Sequence, residues 1–147
     1  LAIALAVSKR STCLKRRYGA VIVNNDEIVS TGYNGNPRGE DNCCDRGNCQ
    51  RMNLPSNSGN YNDCFSVHAE QNAICQAAKR GIALEGATLY CRMTPCRTCA
   101  MMIINCGIKR VVCQMKYHAG VESEEMFAMA GVKLEFFSEQ ILKYEKQ

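Results

Sequence analysis

The chain has 147 residues, 46% of them apolar, and its 18 Lys and Arg outnumber 14 Asp and Glu for a net charge of +4. This composition suits one domain with its own core and excludes a disordered chain. The charge excess is compatible with a phosphate-bearing small molecule or a polynucleotide and decides for neither. Eleven cysteines are many, yet a secreted disulfide scaffold is usually shorter and carries an export signal. The apolar opening, residues 1–7, has no basic stretch before it and is too short to span a bilayer. A reducing, cytoplasmic compartment follows, with thiols committed to metal or to the core.

In chain order, residues 1–12 read as a helix, the tail of one begun upstream, with Lys9 and Arg10 in its last turn. Residues 20–23, a turn at 24–26 and residues 27–31 read as a β-hairpin. Gly32, Tyr33, Asn34 and Gly35 close it, with a backbone suited to close ligand approach. Residues 36–64 lack periodicity and are rich in Asn, Gly, Ser and Cys, so they read as a long loop inserted in a single domain, 1–147. Residues 69–79 read as a helix stopped by Gly81, and 87–93 as a strand running into Pro95. Pro95 suits the first turn of the next helix, which extends to a cap at Gly107. Strand 108–113, helix 121–130, strand 132–137 and a terminal helix over 138–146 complete the chain. Helices alternating with strands in this half predict a partly parallel sheet covered on both faces.

Two short motifs carry chemistry: Val67-His68-Ala69-Glu70, and Thr94-Pro95-Cys96-Arg97-Thr98-Cys99. A catalytic zinc takes three protein ligands and keeps a fourth position for water. His68, Cys96 and Cys99 supply an imidazole and two thiolates, and Glu70 leaves a carboxylate beside them for proton transfer. Cys96 and Cys99 are three apart, on one helix face, where the positive end of the helix dipole favours thiolates. Cys-x-x-Cys alone also occurs in redox motifs and structural zinc sites, but His-x-Glu followed by Pro-Cys-x-x-Cys is the pattern shared by zinc-dependent nucleobase deaminases.

With further segments the likeness covers nearly the whole chain. Ser8-Lys9-Arg10-Ser11-Thr12-Cys13, Tyr18-Gly19-Ala20-Val21-Ile22-Val23, Gly32-Tyr33-Asn34-Gly35, His68-Ala69-Glu70-Gln71-Asn72-Ala73 and Gly107-Ile108-Lys109-Arg110-Val111 resemble the deoxycytidylate deaminase branch of the cytidine deaminase-like superfamily. The resemblance implies a three-layer α/β/α sandwich around a central mixed five-stranded sheet. It implies zinc on His68, Cys96 and Cys99, activating water for attack on C4 of dCMP to give dUMP and ammonia, with Glu70 moving the protons. It further implies that Asn34 holds sugar or base, that the Ala69 backbone helps bind the pyrimidine, and that Tyr117 contacts the nucleotide. For the phosphate, the basic run Lys9, Arg10, Lys15, Arg16 and Arg17 offers several donors, with Lys15 foremost.

Relatives of this branch are homohexamers activated by dCTP and inhibited by dTTP, and Gly32, Tyr33, Asn34 and Gly35 are the implied effector site. Some hold a second, structural zinc, for which Cys13, Cys43 or Cys44, Cys49 and Cys64 stand in suitable order; Cys44 completes the preferred set. Cys75, Cys91, Cys106 and Cys113 read as small core residues, and His118 as a surface residue. The competing readings are a same-fold deaminase of tRNA adenosine or free cytidine, and a zinc-stabilised interaction module without turnover. Partners other than nucleotides and copies of itself are not expected: no membrane, and no nucleic acid.

Overall fold

The computed structural model describes residues 1–49, 51–52, 64–138 and 141–142. Helix α1 (Ala2–Ser8) leads into the hairpin of β1 (Gly19–Asn24) and β2 (Glu27–Tyr33). Asn25 and Asp26 both take positive φ, 49° and 63°, as a tight two-residue hairpin turn requires. A short turn of helix, α2 (Cys43–Arg46), sits within the expected loop and ends at Gly47, whose φ of 66° suits a helix terminus. Then come α3 (Ala69–Lys79), β3 (Thr88–Met93), α4 (Arg97–Asn105), β4 (Arg110–Tyr117), α5 (Val121–Met129), β5 (Lys133–Phe136) and β6 (Ile141–Leu142).

The strands lie in the order β2-β1-β3-β4-β5. β1 is antiparallel to β2 and β3, whereas β3, β4 and β5 run parallel, so the sheet is mixed as expected. Crossovers through α4 and α5 make the parallel half possible, because parallel neighbours cannot be joined by a tight turn. Alternate residues Ala20 and Ile22 of β1, Leu89 and Cys91 of β3, and Val111 and Cys113 of β4 enter one core cluster with Ala73, Ala77, Ile103 and Phe127 from the helices.

Two glycines set how closely helices approach the sheet. A Cβ on Gly19 would lie 2.1 Å from the Ala4 carbonyl oxygen, and one on Gly32 would lie 2.2 Å from that of Ala69. Ala20 faces Gly32 in register while Gly19 faces Tyr33, so the two glycines point to opposite sides. Helix α1 therefore covers one face, and α3 covers the other in company with α4 and α5. The Gly32 backbone thus lets α3 lie directly on β2. Ser30 Oγ donating to Ala73 O (2.6 Å) and Asn72 Nδ2 donating to Tyr33 O (2.7 Å) fix α3 on β2.

Three element boundaries differ from expectation. Helix α1 stops at Ser8, because Ser11 turns away to donate from Oγ to Asn34 O (2.7 Å) and to accept the Cys13 N–H. Strand β4 runs on to Tyr117, where the Tyr117 N–H finds Thr94 Oγ1 at 3.1 Å. Within the expected terminal helix, Ile141 and Leu142 instead pair as a strand with Lys116 and Tyr117; positions 139–140 and 143–146 of that expectation lie outside the described residues, as do 50 and 53–63 of the expected loop.

Candidate metal centre and substrate pocket

The motif residues stand at helix starts. His68 is the N-cap of α3, with φ −71° and ψ 157°, and its N–H is taken by Gln71 Oε1 at 2.9 Å. Cys96 is the N-cap of α4, with φ −68° and ψ 166°, which places Pro95 one residue before the cap and not within the first turn. Cys99 lies one turn into α4, fully buried, and Glu70 lies in the first turn of α3. Both helices begin beside the carboxyl ends of parallel strands, where side chains from separate segments converge.

His68 Nδ1 lies 3.4 Å from Cys96 Sγ and 3.5 Å from Cys99 Sγ. Tetrahedral zinc, with Zn–N near 2.0 Å and Zn–S near 2.3 Å, would separate such atoms by about 3.5 Å. The three residues fit a zinc ion without rearrangement. Among the described residues, this is the His/Cys/Asp/Glu group whose ligand atoms all lie within 4.8 Å of one another. Cys99 Sγ also reaches Glu70 Oε2, at 3.7 Å, so the carboxylate borders the triad.

The electrostatics suit the same assignment. The Cys96 thiol is pulled down to about 4, first by the hydrogen bond from Cys99 and then by His68. Cys99, the donor in that pair and buried beside Glu70, is pushed strongly upward. The hydrogen bond with Cys96 raises His68, and burial raises Glu70 above the usual carboxylate range. A carboxyl group so placed can hold a proton at pH values where an exposed one would be ionised.

The triad opens on a cavity of about 140 Å³, lined near the metal ligands by Ala69, Thr94, Pro95 and Tyr117 and elsewhere by Lys15, Arg16, Arg51 and Arg92. Lys15 and Arg16 are therefore on the wall, whereas Lys9, Arg10 and Arg17 are exposed and do not line it. Lys15 Nζ donates to Arg51 O at 2.7 Å, tying the loop across the cavity. Arg51 and Arg92 carry no local signal in the sequence, one lying in an aperiodic loop and the other at an exposed strand position.

Asn34 is buried at the cavity edge, and its amide is occupied: Oδ1 accepts the Tyr18 N–H (2.8 Å) and Nδ2 donates to Arg16 O (2.9 Å). Its geometry is that of a clamp on the segment that carries Lys15 and Arg16. Tyr33 is exposed; Gly35 is buried and bridges to Val67. His118 is exposed, its ring edge-on to Tyr117 with centroids 4.6 Å apart.

Cys13, Cys49 and Cys64 line the cavity. Burial pushes the Cys43 thiol up, and the charges of Cys13, Cys49 and Cys64 add to it, but no three of these four sulfurs all lie within 4.8 Å of one another. Cys44 is exposed, with its Sγ on Asp45 Oδ1 at 3.6 Å, so Cys43 is the better-placed member of that set. Cys91 and Cys113 are buried neighbours, as expected, but Cys75 is exposed and Cys106 only partly covered.

An α/β/α sheet with a His/Cys/Cys centre at paired helix starts defines a zinc-dependent deaminase scaffold. The chain belongs to the family described as the cytidine and deoxycytidylate deaminase zinc-binding region, whose model matches residues 1–115. It is similar to the deoxycytidylate deaminase of Schizosaccharomyces pombe, 41% identical over 128 residues, covering 86% of this chain and 39% of that protein. It therefore spans about two fifths of that fungal relative. The deoxycytidylate deaminase of Enterobacteria phage T4 is 38% identical over 142 residues, covering 76% of this chain and 74% of the phage protein. Among solved structures, the dCMP deaminase of cyanophage S-TIM5 in complex with dCMP and dUMP superposes with a TM-score of 0.76 at 30% identity, covering 92% of this chain and 91% of that one.

Proposed function

We propose that this chain is a zinc-dependent deoxycytidylate deaminase, hydrolysing dCMP to dUMP and ammonia within one domain. The observation that carries the reading is the placement of Glu70 Oε2 beside a zinc-spaced triad, since a purely structural site has no use for that carboxylate. When bound by His68, Cys96 and Cys99, zinc would supply Lewis acidity that makes water nucleophilic near neutral pH. Glu70 takes a proton from the attacking water and delivers it to N3 of the pyrimidine, then takes the proton of the new C4 hydroxyl and passes it to the departing amine as the C4–N bond breaks and the C4 carbonyl forms. Its burial-raised pKa suits a group that must both accept and return a proton. Ala69 and Tyr117 line the base end of the cavity, while Lys15, Arg16, Arg51 and Arg92 favour a phosphate over a bare nucleoside.

The complex of the cyanophage relative with dCMP and dUMP supports this substrate. Ammonia release from dCMP, dCTP, cytidine and a tRNA anticodon hairpin tests it: turnover confined to the hairpin or to cytidine would replace it with the same-fold alternatives.

The finer reading has further parts, each with its own test. The enzyme is cytoplasmic and homohexameric, read by fractionation and by sedimentation; no described helix is long and apolar enough to cross a membrane. It is activated by dCTP and inhibited by dTTP acting near residues 32–35, and an activity curve unchanged by either nucleotide would remove that element. Cys13, Cys43, Cys49 and Cys64 hold a second, structural zinc, with Cys43 in place of Cys44. Metal analysis giving one zinc per chain would remove it.

A further inference from the structure

One wall of the cavity is a short stretch of alternating residues. Cys64, Ser66 and His68 line it, whereas Phe65 and Val67 do not. Phe65 is 49% exposed, under the Arg46 guanidinium at 5.5 Å, and Val67 pairs through its backbone with Gly35. This is the period-two alternation of an extended chain, whose alternate residues lie about 6.6 Å apart. Ser66 therefore stands one side-chain position beyond the metal ligand His68, on the same face.

Its hydroxyl is buried and has no hydrogen-bond partner among the described residues. An uncommitted hydroxyl there is costly unless something else completes it, because a buried polar group without a partner loses its hydration for nothing. Asn34, an uncharged polar side chain at the cavity edge, already has both ends of its amide on backbone groups. A nucleotide entering base-first would set its pyrimidine against His68 and Glu70 and its sugar, one ring further out, against Ser66. In a deoxynucleoside 5′-monophosphate the free sugar hydroxyl is the 3′-OH. A serine hydroxyl, which both donates and accepts, matches it.

Building on the deoxycytidylate reading above, we propose that Ser66 binds the substrate's 3′-hydroxyl and so determines how the sugar sits. The test is a cycle of two proteins and two substrates: wild type and Ser66→Ala, each with dCMP and with 2′,3′-dideoxycytidine 5′-monophosphate. Expected is a rise of about tenfold in KM for dCMP on Ser66→Ala, with kcat nearly unchanged. Wild type should lose a similar factor on the dideoxy substrate, and Ser66→Ala should lose nothing more on it. The affinity for dUMP, measured by calorimetry, should fall in step with dCMP, while zinc content and melting temperature stay put.

An equal loss on both substrates would show that Ser66 only shapes the wall and would overturn the assignment, as would an unchanged KM for dCMP. A wild-type protein that deaminates neither nucleotide would overturn the deoxycytidylate reading and this assignment with it, a result distinguishable from failure of the cycle alone.

Discussion

His68 and Cys96 occupy the same station in consecutive helices: each is an N-cap with an extended backbone, and Nδ1 of the first lies 3.4 Å from Sγ of the second. The two side chains thus meet across the gap between the helix starts. The centre thus joins α3 to α4, and zinc bound there would hold two packed helices together. Chelation should lower the melting temperature of the zinc-loaded protein by roughly 10 °C, given tight binding to the native state alone. Scanning calorimetry with and without chelator checks this, and identical transitions would count against zinc bridging the helices.

Glu70→Gln keeps the size and loses the proton chemistry. Ammonia release should fall by roughly two to four orders of magnitude while zinc stoichiometry is preserved. Metal analysis beside the activity assay separates the two effects. A variant near wild-type activity would mean that some other group moves the protons.

Gly32→Ala and Gly19→Ala put a methyl group against helix backbone, at 2.2 Å from Ala69 O and 2.1 Å from Ala4 O respectively. Both should destabilise by about 1–3 kcal/mol or more, because backbone cannot swing aside as a side chain can. They should differ in function. Gly32→Ala displaces α3, which carries His68 and Glu70, and should weaken zinc retention; Gly19→Ala displaces α1 and should spare it. Thermal melts together with zinc titration distinguish the pair.

Asn34→Ala removes two buried hydrogen bonds to backbone and should cost about 2 kcal/mol. Urea unfolding measures it. A direct role in gripping substrate, without a structural one, would instead leave stability intact and raise KM alone.

Glu135 lies between Lys133 and Arg110, which hold its carboxyl below the usual range. A carboxylate with a depressed folded pKa adds stability above its unfolded pKa and loses it as pH falls through the folded value. The melting-temperature gap between wild type and Glu135→Gln should therefore be present at neutral pH, small because the group is only partly covered, and vanish in acid. A gap that widened in acid would contradict the pairing.

The triad and its carboxylate were legible because a local spacing encodes them: Glu70 comes two residues after His68, and Cys99 three after Cys96. The hairpin was legible from Asn25 and Asp26, residues that tolerate positive φ. What escaped reading depends on distant partners. Ile141 and Leu142 join β4 through pairing that their neighbours in sequence cannot announce. Ser11 ends α1 by bonding Asn34, 23 residues away. The bonds of the Asn34 amide to Tyr18 and Arg16, 16 and 18 residues away, carry no local signal, and adjacent Cys43 and Cys44 differ only in that Cys44 is the exposed one.

The wall that carries His68 is held to the hairpin by an isolated bridge: Gly35 N donates to Val67 O at 3.2 Å, and Val67 N to Gly35 O at 2.9 Å. Such a seam opens at far lower free energy than the sheet beside it. Amide deuteration should therefore mark Gly35 and Val67 as a latch that unfastens while the strands stay shut.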